Sequence, residues 1–528
     1  MSAVGTTRTA VRARLGLLPT GYRAAALAGA AVLTGTYLVE LYHVVDVVGS
    51  AASLATFVGE VLAAVVLAAA LSRALRLRGA VALGGLLLAA GLGAYALAVP
   101  GGAIQLEQQL SDTVALVTGL SVLRMASANL WALGVTPAPL FVSTYLFLRR
   151  RYALGVLVGG ATLAFFVSTG DVDVLHGLVG ALGAVAALGF GQLDREGGAP
   201  ALRDGLLVLL VAVLVVTTSV SLVPGGEAQP LLPDDRGTAV EASLVGTGDR
   251  VTLLGSIELS PAVRFTVTAD RPARWRVGAF DRYTGGGWVR AGQSRPYDDP
   301  LPQPPGDRLV QVRQTVEVES ETDVMPAAWK PSVVEGAPGT RVTSMGGLQP
   351  DGTLAAGERY TVLSYRHDPG AAALRAAGTD YPDGLAERYT QLPSSTPDRL
   401  GEFTARLTEG ADNPYDAARV VERWLEANKA YSLDVERPSG DVAASFVFEM
   451  NRGYCTYFAT AMVAMLRTQD IPARFVTGYT AGEAVAGNQW VVRGLDSHAW
   501  VEVYFPEHGW VAFDPTPAGP RRDAEQAR

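Results

Sequence analysis

Residues 452–459 read Arg-Gly-Tyr-Cys-Thr-Tyr-Phe-Ala and hold the one cysteine of this 528-residue chain, Cys455. Phe458, Met462 and Leu466 follow at helical spacing, so Cys455 is predicted to begin a helix with one buried face. Unpaired N–H groups and partial positive charge at a helix N-terminus favour a thiolate and can stabilise an oxyanion. The position therefore predicts a reactive thiol with a lowered pKa, in preference to a small buried hydrophobic residue.

Two downstream residues supply an imidazole and a carboxylate. Residues 497–505 alternate in polarity, which predicts a strand on which His498 projects away from the apolar face. Asp514 ends the next predicted strand, just before Pro515. A carboxylate there can orient the imidazole, and the imidazole can activate the thiol. Cys455, His498 and Asp514 are therefore the candidate catalytic residues.

Other interpretations of these residues stay open at this stage. Asp496 is a candidate supporting residue for His498, and Tyr431 is a candidate to line the site or to donate to an oxyanion. The residue types also suit a Cys-His-Asp metal site, but no fourth ligand is found nearby. No metal or cofactor is predicted.

The chain divides by composition into an apolar and a polar part. Residues 1–223 carry 13 basic and 10 acidic residues, whereas residues 224–528 carry 30 and 41. The acidic excess in the second part argues against nucleic acid as a partner. Arginine supplies 41 of the 43 basic residues; Lys330 and Lys429 are the exceptions.

Residues 1–223 are predicted to form a transmembrane bundle of about seven helices in the lipid bilayer. Six spans are predicted near 24–45, 51–71, 80–99, 152–168, 172–188 and 206–222, and a short or tilted span lies within 114–148. With the N-terminus inside, nearly all loop arginines fall on the cytoplasmic side, as the positive-inside rule requires. An odd number of spans then places the rest of the chain outside the cytoplasm.

The second part is predicted to contain two domains and their linkers. Residues 224–238 form a Pro/Gly-rich linker, and residues 239–368 show the short alternating runs of an extracytoplasmic β-rich domain. Helical patterns begin near residue 383 and lead into the catalytic domain, 383–518. Residues 519–528 are predicted to be a polar tail.

The motifs together resemble the transglutaminase-like superfamily of papain-like thiol enzymes. The resemblance covers about 386–517 and is carried by segments 453–459, 466–474, 478–479, 498–500 and 514–516. It implies an α+β papain-like core, with Cys455 as nucleophile, His498 as general base and acid, and Asp514 as its orienter. The N-terminal spans and β-rich region further resemble the membrane-bound TgpA-like branch. Thr456 and Tyr457 stand where many relatives have Glu-His.

The resulting prediction is a multi-pass membrane enzyme that transfers acyl groups through a cysteine thioester. Its substrates would be proteins or peptides outside the cytoplasm. An amine acceptor would make it a cross-linking transglutaminase, and water would make it a protease or amidase. The alternative is a non-catalytic scaffold or binding module that organises envelope proteins. A transporter function would rest only on Glu60 and the number of spans.

Overall fold

The computed structural model describes residues 21–48, 51–98, 122, 128–169, 171–172, 174–196, 245, 248–305, 309–382 and 384–526. The chain forms two compact units, residues 1–233 and 234–528. The predicted span at 206–222 and the predicted linker at 224–238 lie outside the described residues.

The first unit is helical. Within its described residues, five helical segments are long and apolar enough to cross a membrane, and a sixth apolar helix is shorter. The segment 128–148 counts as one of the five and consists of two helices, the second of which begins at Pro137. The helices are α1 Gly21–Val48, α2 Ala51–Leu71, α3 Leu77–Ala98, α4 Ala128–Val135, α5 Pro137–Leu148, α6 Tyr152–Ser168 and α7 Val174–Glu196.

Helices α1 and α7 pack together through glycines. A Cβ added at Gly29 would lie 2.5 Å from the backbone nitrogen of Ala187, and one added at Gly183 would lie 2.7 Å from that of Leu33. Only glycine fits at such close approaches, as is common where apolar helices associate in lipid.

The second unit is built on strands that form two main sheets. One has six strands in the order β15-β16-β2-β7-β11-β8, and the other has four in the order β18-β17-β14-β3. The strands are β1 Arg250–Thr252, β2 Val263–Ala269, β3 Trp275–Phe280, β4 Arg282–Tyr283, β5 Gly287–Val289, β6 Arg295–Pro296, β7 Leu309–Val318, β8 Pro331–Glu335, β9 Arg341–Val342, β10 Leu348–Gln349, β11 Arg359–His367, β12 Ala430–Tyr431, β13 Arg452–Gly453, β14 Ala473–Tyr479, β15 Glu483–Ala486, β16 Gln489–Arg493, β17 Ser497–Phe505 and β18 Gly509–Phe513.

Both main sheets run across the domain boundary predicted between 368 and 383. Strand β3 pairs with β14, with Phe280 opposite Phe475, and β2 pairs with β16, with Phe265 opposite Val492. The pairing covers the edges that β14 and β16 would otherwise expose. The β-rich region is therefore joined to the predicted catalytic domain through shared sheets.

The second unit also contains seven α-helices among its described residues, and α13 lies at its centre. Every residue of α13 is buried. At its C-terminal end, Arg467 donates hydrogen bonds to the carbonyl oxygens of Ala473 and Gln391, so it ties the helix to the start of β14. The helices are α8 Ala371–Ala376, α9 Leu385–Tyr389, α10 Asp398–Leu407, α11 Pro414–Asn428, α12 Val442–Phe448, α13 Cys455–Arg467 and α14 Ala518–Gln526.

The structure shows a helix where the sequence predicted a polar tail, residues 519–528. Residues 518–526 form helix α14, in which Arg521 and Glu525 pair at 3.0 Å one turn apart. Glu525 is buried because it packs at Tyr431, whose hydroxyl donates to its Oε1 at 2.9 Å. A carboxylate placed four residues after an arginine provides the helical pairing.

Candidate active site

Cys455 lies at the first position of α13. Tyr454 is the N-cap in extended conformation and provides no side-chain cap, so the backbone N–H groups of the first turn have no side-chain acceptor there. Gly453 is required by space, because an added Cβ would lie 2.7 Å from Phe446 and 2.9 Å from Tyr457. The sequence prediction of a helix beginning at Cys455 is confirmed.

His498 and Asp514 are brought together by the four-stranded sheet. His498 Nε2 lies 2.9 Å from Asp514 Oδ2. Opposite His498 in the sheet is Gly478, where an added Cβ would lie 2.2 Å from the Trp275 carbonyl oxygen. Glycine at 478 therefore permits the close strand approach that fixes the backbone beside His498.

Asp514 is held by four groups. Arg274 Nη2 donates to its Oδ2 at 3.1 Å, and the Thr516 N–H donates to its Oδ1 at 3.3 Å. Its own backbone N–H donates to Glu422 Oε1 at 3.0 Å, and His498 supplies the fourth contact. These contacts fix the carboxylate in the direction of the imidazole.

The arrangement sets the tautomer of His498. Burial opposes ionisation of Asp514, but His498 and Arg274 outweigh burial and hold the pKa of that carboxyl well below its usual range. An ionised carboxylate only accepts hydrogen bonds, so Nε2 carries the proton. Nδ1 is then the basic nitrogen; it is buried and has no hydrogen-bond partner among the residues that the structure describes.

Cys455 lies beside the strand that carries His498. The Ala499 backbone N–H lies near the Cys455 sulfur and lowers the pKa of the thiol, against the larger effect of burial. Since Ala499 is the next residue after His498, the thiol lies at the start of β17. The structure thus gathers all three candidate residues at the junction of α13, β17 and β18.

The thiol is neutral, in contrast to the lowered pKa that the sequence predicts. Burial is the largest influence and raises the pKa of Cys455 to about 12. Burial also lowers the pKa of His498, against the opposite effect of Asp514. Both groups are almost fully inaccessible to solvent. Desolvation therefore outweighs the helix N-terminus, and the closed site contains a neutral thiol and a neutral imidazole.

A second set of charges near the thiol comes from α14. The Glu525 carboxylate raises the pKa of Cys455 and Arg521 lowers it. Burial raises the pKa of Glu525 itself to about 7. The Tyr431 hydroxyl, a candidate oxyanion donor, is engaged by Glu525. Neither α14 residue was a candidate site residue from the sequence, although their four-residue spacing was a signal for a helix.

Other residues have supporting roles. Asp496 accepts hydrogen bonds from the Thr480 hydroxyl and the Arg493 N–H, at 3.0 and 2.8 Å, and so holds the turn before β17. Arg274 and Glu422 contact Asp514 from distant parts of the chain, and no local pattern could reveal them. In the described part of the chain, no group of three or more His, Cys, Asp or Glu residues could hold a metal ion.

The face of β17 that carries His498 is buried as well. Trp500 and Glu502 follow His498 on this face, and both are inaccessible. Glu502 accepts from Arg474 Nε at 2.7 Å, and Arg276 Nε lies 3.9 Å away. The buried carboxylate is therefore compensated by two buried guanidinium groups, which permits its burial.

Comparisons with known proteins agree with these features. Residues 401–515 match the model of the transglutaminase-like superfamily, and residues 47–371 match the TgpA N-terminal domain. A Pseudomonas aeruginosa protein-glutamine gamma-glutamyltransferase is 30% identical over 293 residues, 54% of this chain and 42% of that relative. The uncharacterised Bacillus subtilis protein YebA is 42% identical over 141 residues, 25% of this chain and 19% of that protein. This chain thus spans less than half the length of either relative.

Among solved structures, the periplasmic domain of TgpA from Pseudomonas aeruginosa bound to ethylmercury is 26% identical. The match covers 50% of this chain and 93% of that one, with a TM-score of 0.40.

Proposed function

Because this chain belongs to the TgpA branch of the transglutaminase-like superfamily, we propose that it transfers acyl groups from glutamine side chains through Cys455. The observation that carries the proposal is the contact of His498 Nε2 with Asp514 at 2.9 Å, which leaves Nδ1 unpaired among the described residues and available as the base. The five apolar helices anchor the chain in a membrane.

The first half-reaction begins from the neutral pair. The Cys455 sulfur attacks the carbonyl carbon of a carboxamide while its proton passes to His498 Nδ1. Asp514 stabilises the imidazolium that forms. The Cys455 backbone N–H, at the start of α13, is the proposed donor to the developing oxyanion. Nδ1–H then protonates the leaving nitrogen, ammonia departs, and the acyl group remains as a thioester.

The second half-reaction decides the product. A primary amine attacks the thioester carbonyl and passes a proton to His498 Nδ1, the C–S bond breaks, and Nδ1–H returns the proton to the Cys455 sulfur. The product is a cross-link, whereas water in place of the amine gives hydrolysis. The name of the Pseudomonas relative favours an amine as acceptor. We therefore propose transamidation as the main reaction and hydrolysis as its outcome when no amine is present.

The experiment uses the full chain in membranes with a glutamine peptide and a biotinylated primary amine. Ammonia release and biotin incorporation are measured for the wild type and for Cys455→Ala. We expect both signals in the wild type and neither in the variant. Ammonia without biotin would identify a hydrolase. Neither signal in the wild type, together with an equal cellular phenotype of the two proteins, would support the non-catalytic scaffold instead, and activity that persists in Cys455→Ala would exclude Cys455 as the nucleophile.

We also propose that the chain is multi-pass with residues 234–528 outside the cytoplasm. The loop arginines support this orientation through the positive-inside rule. On a Cys455→Ala background, Val485→Cys should react with an impermeant maleimide in intact cells, because Val485 is exposed. Arg73→Cys, on a predicted cytoplasmic loop, should react only after permeabilisation. The reverse pattern would overturn the orientation.

A further inference from the structure

Two cavities share part of their lining, and the larger one lies on the face of β17 that carries His498, where Trp500 and Glu502 line it. They measure about 430 and 400 Å³, and both are lined by Trp329, Lys330 and Trp510. The larger one also has Arg274 and Trp500 in its wall. Arg274 contacts Asp514, and the Trp500 ring stacks on His498 with centroids 6.3 Å apart. A molecule in the larger cavity would therefore lie beside the residues that orient the imidazole.

Lys330 is an unusual cation in this chain, where 41 of 43 basic residues are arginine. The other lysine, Lys429, has a structural role, since its ammonium donates to the carbonyl oxygens of Val447 and Met450 at 2.9 and 2.6 Å. Lys330 is half-buried, and its side chain makes no hydrogen bond or ion pair within the described segments. Its ammonium is thus available to a ligand.

The carboxylates around the larger cavity are engaged by arginines. Glu502 pairs with Arg474, and Asp368 lies 3.5 Å from Arg366. Burial lowers the pKa of Lys330, and repulsion from Arg474 and Arg276 lowers it further. The positive charge at Lys330 is therefore uncompensated, and an anion bound beside it would relieve the repulsion.

The aromatic walls are fixed by stacking. The Arg276 guanidinium lies 3.8 Å from the Trp329 ring centroid, and that of Arg474 lies 4.0 Å from the Trp510 centroid. These contacts hold both indoles beside Lys330 before a ligand arrives. Preorganised aromatic walls with a few polar groups are typical of small-molecule and peptide subsites.

We propose that Lys330, which lines the larger cavity together with Trp329 and Trp510, binds a carboxylate of the peptide substrate and so makes this cavity a specificity subsite. The inference rests on the proposed function, because it concerns the substrate of the same site. One ammonium matches a monoanionic carboxylate better than a doubly charged phosphate. The carboxylate could be a glutamate side chain or a C-terminus, which share this chemistry.

Binding is measured by tryptophan fluorescence on full-length Cys455→Ala protein, so that turnover plays no part. The probes are an acetylated and amidated glutamine peptide, the same peptide with a glutamate added beside the glutamine, and the first peptide with a free C-terminus. We expect at least one carboxylate peptide to bind about tenfold or more tighter than the neutral one, the usual effect of a hydrogen bond between charged groups. The tighter of the two identifies the source of the carboxylate.

Lys330→Met should abolish this preference, whereas Lys330→Arg should retain most of it. Arg366→Gln is the matched control. It also removes a cation from the wall of this cavity, but one that is already paired with Asp368, so the preference for the carboxylate peptide should remain. Equal binding of the three peptides, an unchanged preference in Lys330→Met, or equal loss in Arg366→Gln would overturn the proposal. Since no acyl transfer is needed, failure of the proposed chemistry would show separately, as wild-type protein that binds peptide but releases no ammonia.

Discussion

Replacement of Asp514 by asparagine should slow the reaction of Cys455 with a neutral alkylating agent about a thousandfold at neutral pH. The thiol is neutral, so alkylation requires that its proton pass to His498. The ionised Asp514, 2.9 Å from the ring, supports the resulting imidazolium. At an effective dielectric constant of about 20, such a pair contributes about 4 kcal/mol, and each 1.4 kcal/mol is about a factor of ten.

The assay is the second-order rate of iodoacetamide modification, measured by intact mass on wild type and variants. Arg274→Gln is the matched control, because Arg274 contacts the same carboxylate oxygen but lowers the pKa of His498. It should change the rate only a few fold, in the upward direction, since its side chain is partly exposed. A folded Asp514→Asn protein that reacts within a few fold of wild type would refute the role of Asp514.

Two further substitutions test the charges around the site. Glu525→Gln should raise the Cys455 alkylation rate about tenfold at pH 8 and hardly at pH 6. The reason is that burial raises the pKa of Glu525 to about 7, and only its ionised form raises the thiol pKa. The same increase at both pH values would contradict this role of Glu525. Glu502→Gln should destabilise the protein by about 3–5 kcal/mol, seen as a melting temperature lower by about 10 °C, because Arg474 and Arg276 lose their carboxylate. Burial raises the pKa of Glu502, but the two arginines lower it by more. The ion pair therefore stabilises the folded protein above the pKa that Glu502 has in the unfolded chain. This stabilisation is lost as the pH falls through the pKa that Glu502 has in the folded protein. The difference between wild type and Glu502→Gln should therefore shrink in acid, and a constant difference would exclude the ion pair as its cause.

Local patterns predicted much of this architecture. Apolar runs gave five helical segments of membrane-spanning length in the described residues, and the apolar spacing after Cys455 gave the buried helix α13. Alternation gave β17 with His498 near its start. These features depend on neighbours in sequence, so periodicity and composition suffice to find them.

Features that depend on distant contacts escaped prediction. Strand β3 joins β14 across about 200 residues of sequence, so the β-rich region and the core share a sheet that no local pattern reveals. The same holds for the Arg274 contact with Asp514. The thiol pKa was predicted with the wrong sign because burial depends on the whole fold, whereas a helix N-terminus can be recognised locally.

The central claim is that Cys455 carries the acyl group, and mass spectrometry of the digested acyl-enzyme tests it most directly. Wild-type protein is mixed with a glutamine peptide without added amine, quenched in acid and digested. We predict an adduct of the peptide minus ammonia on the fragment that contains Cys455, removable by hydroxylamine and absent from Cys455→Ala. Turnover of the peptide with an adduct on another residue, or turnover that persists in Cys455→Ala, would contradict it.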